Sequence, residues 1–223
     1  MKFVVKLGGA TLGNPELLHI CAQAIAELVK DGNQVALVHG GGVQLTRTLK
    51  LMGKQSEFVA GLRVTDAETR DAAVMVLGGQ VNKALVAALG AHGQAAMGLS
   101  GGDGLVFRAR KKRTAPDLGY VGEIVASDPR WLDAIWKMGA VPVISSLALG
   151  FDGEYYNVNA DEMAAACAAA CKADALVFLA ENYRDGDIVN VGSGEEVTIA
   201  KLADSPLPTS RLVPKTPICS HHQ

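Results

Sequence analysis

The sequence predicts an α/β protein with an open, mainly parallel sheet that carries helices on both faces. Two stretches predict it. The apolar run Lys2–Leu7 leads into Gly8-Gly9, and the apolar run Gln34–His39 leads into Gly40-Gly41-Gly42; a helix signal follows each glycine turn. Strands of a parallel sheet are covered on both faces and therefore read as continuous apolar runs. Alternation of such strands with helices is typical of crossover units in one sheet.

Further elements follow in order along the first half of the chain. Asn14-Pro15 opens a helix over residues 14–30, because asparagine is a good N-cap and proline suits the first helical turn. A helix over 43–52, a hairpin over 58–65 and a long helix over 66–91 come next. The long helix carries Gly78-Gly79, which an isolated helix disfavours. Close approach of another helix, such as that of a dimer partner, would explain this glycine pair.

The second half continues the alternation. Strands are predicted over 94–99, 141–147 and 175–180, with helices over 128–137 and 162–172. Segments 105–110 and 120–125 read as two antiparallel strands around a basic loop, which predicts a lid-like excursion. Beyond residue 180 the signals weaken, and the end of the chain reads as unstructured.

Composition excludes several classes of function. The 223 residues carry a net charge of −2 with mixed signs, so a nucleic-acid surface is not expected. No segment reaches the ~20 consecutive apolar residues that a bilayer requires, and no export signal is visible. The four cysteines show no zinc-like spacing, so we expect no metal site. These observations predict a cytoplasmic protein without a membrane anchor.

Candidate phosphate-binding residues lie at the two glycine turns. Lys6 lies in an apolar strand and needs a negative partner if it is buried, and Gly8 and Gly9 would let backbone amides approach a ligand. A strand-end lysine in solvent beside an ordinary turn fits the same residues. Gly41 and Gly42, between a strand and a helix, are placed to bind an anion on free amides. The pattern matches neither a dinucleotide fingerprint nor a P-loop.

Other polar candidates lie farther along the chain. Arg63 fits either a bidentate carboxylate clamp or an exposed hairpin arginine. Asn157, Asn159 and Asp161 alternate before a helix, so an extended segment would direct all three the same way. Asp161 is also a natural N-cap. Three polar groups aimed together exceed what one cap requires, which favours a functional role.

Seven short motifs along the chain are specific in their combined order and spacing. The chain resembles the amino-acid kinase family from residue 2 to about residue 180, and its motifs are Lys-Leu-Gly-Gly, Val-His-Gly-Gly-Gly, Gly-Leu-Arg-Val-Thr, Gly-Gly-Gln-Val-Asn-Lys, Gly-Leu-Ser-Gly-Gly-Asp-Gly, Asp-Leu-Gly-Tyr-Val-Gly-Glu and Asn-Val-Asn-Ala-Asp. Gly-Leu-Arg-Val-Thr together with Asn-Val-Asn-Ala-Asp indicates the branch that acts on N-acetyl-L-glutamate.

The resemblance implies a three-layer αβα sandwich that transfers the γ-phosphoryl group of ATP to a carboxylate, with Mg²⁺ on the nucleotide phosphates. It also implies the role of each site residue, in a protein expected to be a homodimer through the helix with Gly78-Gly79. The catalytic residues would be Lys6, Asp161 and Lys215; the substrate-binding residues would be Gly41, Gly42, Arg63 and Asn157; and Gly8 and Gly9 would bind phosphate.

The chain departs from the family pattern after residue 180. Glu181-Asn182-Tyr183 replaces the usual Thr-Asp-Val, Ser210-Arg211 precedes Lys215 in place of Gly-Gly, and few residues follow. We therefore expect a lobe over 1–172 for the amino acid and phosphoryl transfer, and a shortened nucleotide lobe over 173–223. The alternatives are a non-catalytic acetylglutamate-binding or dimerisation module, and a kinase for a related acidic amino-acid derivative.

Overall fold

The fold is an α/β sandwich around a seven-stranded sheet in a computed structural model that describes residues 1–179, 189–191 and 195–197. Its strands are β1 (Lys2–Leu7), β2 (Gln34–His39), β3 (Phe58–Val59), β4 (Leu62–Arg63), β5 (Ala96–Leu99), β6 (Phe107–Lys111), β7 (Val121–Ser127), β8 (Val141–Ser145), β9 (Leu147–Gly150), β10 (Tyr155–Val158), β11 (Ala175–Leu179), β12 (Val189–Val191) and β13 (Glu195–Val197).

The α-helices are α1 (Gly9–Gly13), α2 (Pro15–Lys30), α3 (Gly42–Leu51), α4 (Ala67–Ala73), α5 (Asn82–Ala91), α6 (Arg130–Lys137) and α7 (Ala160–Cys171). Asn14 caps α2 as expected, because its side-chain oxygen accepts a hydrogen bond from the amide of Glu16 at 2.9 Å.

The large sheet has the strand order β13-β12-β11-β1-β2-β8-β5. The pairs between β11 and β5 are parallel, and β12 and β13 join antiparallel at one edge. The predicted open, mainly parallel sheet is therefore confirmed. β1 and β2 lie side by side and run in the same direction, with Leu7 opposite His39, so the glycine turns that follow them are neighbours.

The core has one apolar layer on each face of the sheet. On one face Phe3, Val5 and Leu7 of β1 pack in a cluster with buried residues of α2 and α5. On the other face Val4 packs in a cluster with residues of α6 and α7. Because side chains alternate along a strand, Lys6 shares the α7 face with Val4.

The long helix predicted over 66–91 is confirmed as one helical run, Ala67–Ala91, and part of this run is π-helical. α4 and α5 are joined by a π-helical segment, Val74–Val81, which contains Gly78-Gly79. A π-helical segment widens the turn locally and occurs often beside functional sites. The π-helical pattern itself was not predicted, because local sequence periodicity does not distinguish α-helical from π-helical hydrogen bonding.

The expectation that no segment is long and apolar enough to span a bilayer is wrong for one helical segment. Within the described part of the chain, Ala67–Ala91 is long and apolar enough to span a membrane by length and composition alone. Leu85 and Leu89 of this run are buried against the sheet, as in the core helix of a globular protein.

The predicted lid is not a separate excursion. The two antiparallel strands occur as β6 and β7, but β9 and β10 join them in a closed four-stranded barrel. The strand predicted over 141–147 is divided, and its last residue begins β9. The lid interpretation fails because barrel closure depends on pairing between distant segments.

Candidate active site

A cleft of about 670 Å³ opens where β1 and β2 end. The ends of parallel strands are where open α/β sheets bind ligands. The cleft brings together most of the residues singled out in the sequence. Among its lining residues are Lys6, Gly8, Gly9, Gly41, Gly42 and Arg63.

The two glycine turns form adjacent parts of the wall. A Cβ atom added at Gly9 would lie 3.3 Å from a methyl group of Val43, which follows the second turn directly. Gly8 and Gly41 are the N-cap residues of α1 and α3, so both helices begin at the cleft. The first amides of a helix have no partner within that helix, and they favour an anion.

Lys6 is held at the cleft by an ion pair. Its Nζ lies 3.0 Å from Oδ1 of Asp161, and only 17% of the Lys6 side chain is exposed. The pair forms because Lys6 faces α7, and Asp161 lies in the first turn of that helix. The alternative role of Asp161 as an N-cap is excluded: Asn159 caps α7, and its Oδ1 accepts hydrogen bonds from the amides of Asp161 and Glu162.

Arg63 is buried, with 6% of its surface exposed, and is not a surface hairpin residue. Its guanidinium donates to the carbonyl of Gly42 at 2.9 Å, to Oγ1 of Thr46 at 2.8 Å and to Oγ of Ser56. Burial lowers the pKa of Arg63, yet an arginine stays charged in proteins. The cleft therefore holds a fixed cation beside the second glycine turn.

Asn157 is not among the residues that line the cleft. Asn157 Nδ2 lies 3.5 Å from Oγ1 of Thr65, whose hydroxyl donates to the carbonyl of Arg63. Asn157 thus contacts Thr65, two residues after Arg63 at the end of β4. Lys215, and the departures at Glu181-Asn182-Tyr183 and Ser210-Arg211, lie outside the described residues. Most of the proposed second lobe does too, so the division at residue 172 stays a prediction.

Sequence analysis missed several residues of the cleft. Thr46, Arg47, Lys50 and Phe58 also line it. The sequence signal for Arg47 and Lys50 is their spacing, because residues three positions apart in a helix lie on the same face. Phe58 lies under the guanidinium of Arg63, with 4.6 Å between the guanidinium carbon and the ring centroid, a cation–π arrangement.

Comparison with known proteins agrees with this arrangement. The family model for the amino acid kinase family matches residues 1–181. The chain belongs to this family.

Two curated relatives carry the same name. The acetylglutamate kinase of Acidobacterium capsulatum is 71% identical, over 98% of this chain and 85% of the relative. That of Koribacter versatilis is 53% identical, over 85% of this chain and 74% of the relative. Among solved structures, a Streptococcus mutans UA159 protein superposes with a TM-score of 0.72 at 25% identity, over 80% of this chain and 72% of that one. The chain therefore has curated relatives of similar sequence and a solved structure of the same fold.

Proposed function

We propose that this chain transfers the γ-phosphoryl group of ATP to the γ-carboxylate of N-acetyl-L-glutamate. The product is N-acetyl-L-glutamyl 5-phosphate, an intermediate of arginine biosynthesis. One observation carries the proposal: Lys6, both glycine turns and the buried Arg63 line the same cleft. The names of the two relatives support the choice of substrate.

The reaction requires positioning and charge neutralisation more than acid–base chemistry. A carboxylate nucleophile is already ionised at pH 7, so no base has to activate it. The in-line displacement spreads charge over the oxygens of the transferring group. Lys6 neutralises part of that charge, and amides at Gly8, Gly9, Gly41 and Gly42 donate hydrogen bonds to it. Asp161 holds the Lys6 ammonium in position.

Arg63 clamps the α-carboxylate of acetylglutamate. A guanidinium has five N–H donors in a planar fork. In the described chain, the hydrogen bonds to Gly42, Thr46 and Ser56 occupy some of these donors. These contacts fix the plane of the group, and the remaining donors serve the substrate. Asn157 contributes to substrate binding from the strand end beside Thr65. Lys215 completes the proposed set of catalytic residues as a second cation.

Mg²⁺ enters with ATP on the nucleotide phosphates. In the described part of the chain, no three His, Cys, Asp or Glu side chains come close enough to hold a metal ion by themselves. Phosphate oxygens are common ligands for this ion, which retains several waters and few protein contacts. The bound ion adds further neutralisation of phosphate charge.

The active form is a cytoplasmic homodimer built on the helix with Gly78-Gly79. Met75, on the same π-helical segment, is 58% exposed, and the space next to Gly79 is open. Small residues beside an exposed apolar side chain allow a partner helix to approach closely.

Cys21, Cys167 and Cys171 are unbridged in the described residues, as suits a reducing compartment.

The test is formation of an acyl phosphate. Purified protein with ATP, Mg²⁺ and N-acetyl-L-glutamate should yield a hydroxamate when hydroxylamine is present, and omission of either substrate should abolish it. A panel of acidic amino-acid derivatives tests the substrate. Absence of hydroxamate from folded protein would contradict the proposal, and a faster reaction with another derivative would change the substrate.

A further inference from the structure

His39 is a fully buried side chain that the proposed mechanism does not use. It is the last residue of β2 and precedes the second glycine turn. Val38 packs on the α7 face of the sheet, so the alternation along the strand turns His39 toward the α5 face. There it meets Asn82, the first residue of α5, which is also fully buried.

The contacts of Asn82 fix the orientation of its amide. Its Nδ2 lies 2.9 Å from the carbonyl of Val143 and 3.0 Å from Nε2 of His39, while Nζ of Lys83 donates to its Oδ1 at 3.3 Å. A carbonyl oxygen can only accept, so the atom facing Val143 is the amide nitrogen. Nδ2 also lies 3.4 Å from the carbonyl of Leu99, which is its longest contact. An amide nitrogen only donates, so the nearer Nε2 of His39 accepts a hydrogen bond from Asn82.

This contact determines the tautomer of His39. Burial lowers the pKa of His39 to about 4, so the imidazole is neutral at pH 7 and carries one proton. With Nε2 as the acceptor, that proton lies on Nδ1. Nδ1 is 2.7 Å from the carbonyl oxygen of Gly40 and donates to it.

The hydrogen bond to Gly40 sets the direction of the next amide. In a planar trans peptide the C=O and the N–H point in opposite directions. The Gly40 carbonyl is turned inward to His39, so the N–H of Gly41 is turned outward at a residue that lines the cleft. No acceptor for this N–H occurs among the described residues.

We infer that His39 and Asn82 are a positioning pair that aims the Gly41 amide at the transferring phosphoryl group. The inference rests on the proposed function. Neither side chain touches the substrate; both act through the Gly40–Gly41 peptide. Since the amide stabilises charge that is largest in the transition state, the pair raises kcat more than it affects the KM for acetylglutamate.

Two variants of His39 separate positioning from packing. In His39→Asn the amide nitrogen takes the place of Nδ1 and can still donate to Gly40, whereas in His39→Gln the amide takes the place of Nε2 and retains only the Asn82 contact. We expect H39N to retain kcat within about threefold and H39Q to lose about tenfold or more, with KM for acetylglutamate nearly unchanged in both. His19→Asn, at an exposed histidine on α2, is the control.

Nitrogen-15 NMR of the histidine rings tests the tautomer independently of turnover. Of the five histidines, the signal lost in H39N identifies His39. A proton on Nδ1 supports the inference; a proton on Nε2, or equal kcat in folded H39N and H39Q, overturns it. If the wild type gave no acyl phosphate, the proposed function would fail, and affinity for adenylyl imidodiphosphate would replace kcat as the readout for the variants.

Discussion

The Nζ atom of Lys6 lies 3.0 Å from Oδ1 of Asp161, so the central strand of the sheet is joined to the first turn of α7 at the cleft. Lys6→Ala should lower kcat about a hundredfold or more, since it removes the charge that the proposed mechanism places against the phosphoryl group. Asp161→Asn keeps the shape but loses the partner charge, and kcat should fall roughly tenfold. Steady-state kinetics measure both changes. Unchanged kcat in K6A would exclude Lys6 from the chemistry.

Replacement of Arg63 should affect substrate binding first. Arg63→Ala removes three hydrogen bonds and should raise KM for acetylglutamate about tenfold to a hundredfold. Arg63→Lys should be intermediate, because an ammonium cannot form the planar fork. Arg113→Ala, in the exposed loop between β6 and β7, is the control and should leave KM unchanged. An R63A enzyme with normal KM would contradict the clamp.

A side chain at Gly41 would be strained by the backbone angle and crowded by its neighbours. Its φ is +145°, and a Cβ atom would lie 2.7 Å from Leu77 and 3.1 Å from Val81 of the π-helical segment. Gly41→Ala should lower both the free energy of unfolding, by about 1–3 kcal/mol, and kcat. Gly53→Ala is a matched control, because Gly53 also has a positive φ, of +80°, but faces open space. Urea denaturation should show a larger loss for G41A than for G53A.

Arg47 and Lys50 should assist the capture of an anionic substrate. Both are exposed cations at the cleft, and exposed charges act mainly on encounter. Arg47→Ala combined with Lys50→Ala should raise KM for acetylglutamate roughly two- to tenfold at low salt. The difference should shrink near 1 M salt, where the screening length is about 3 Å. A difference independent of salt would indicate direct contact with the substrate instead.

Asp66 should make stability depend on pH in the acid range. Nζ of Lys54, 2.7 Å from Oδ1, is the main cause that lowers the pKa of Asp66 from 3.8 to about 2, and the amide of Thr69 adds to it. A lowered pKa means that the stabilisation is complete above about pH 4 and is lost as the pH falls toward 2. The effect should stay below about 1 kcal/mol, since the side chain is largely exposed.

Two variants isolate the charge of Asp66 from its role as the N-cap of α4. Asp66→Asn keeps an acceptor for the Thr69 amide and should lose only the pH-dependent part. Asp66→Ala should lose about 1 kcal/mol more at every pH. Urea denaturation from pH 7 to pH 2 measures both. Parallel curves for wild type and D66N would contradict the ion pair.

The parallel sheet was predictable because its signals are local. Each of β1 and β2 is a continuous apolar run, and each ends in glycines that no regular element favours. Lys6 and Arg63 stood out because a charge in an apolar run or a short hairpin needs a partner. The partner of such a charge depends on the face of the strand that the charge occupies. Lys6 pairs with Asp161 of α7, which lies more than 150 positions later in the sequence.

Other features could not be predicted, because they depend on distant contacts. The barrel of β6, β7, β9 and β10 is closed by pairing of segments whose individual patterns equally suit a hairpin lid. Asn159 replaced Asp161 as the N-cap of α7, since both residue types cap well and the start of the helix decides between them. His39 gave no signal of its own, because a histidine at the end of a strand is ordinary until Asn82 is beside it.

The position of β1 has a consequence for the synthesis of the protein. β1 is synthesised well before β11, yet one of its edges is completed only by β11, where Phe3 pairs with Ala175. Until then a long apolar strand has an unpaired edge, which is a template for aggregation. The ion pair between Lys6 and Asp161 also has to wait for α7. Nascent chains that stop before β11 should therefore depend on chaperones, even though both glycine turns have already been made.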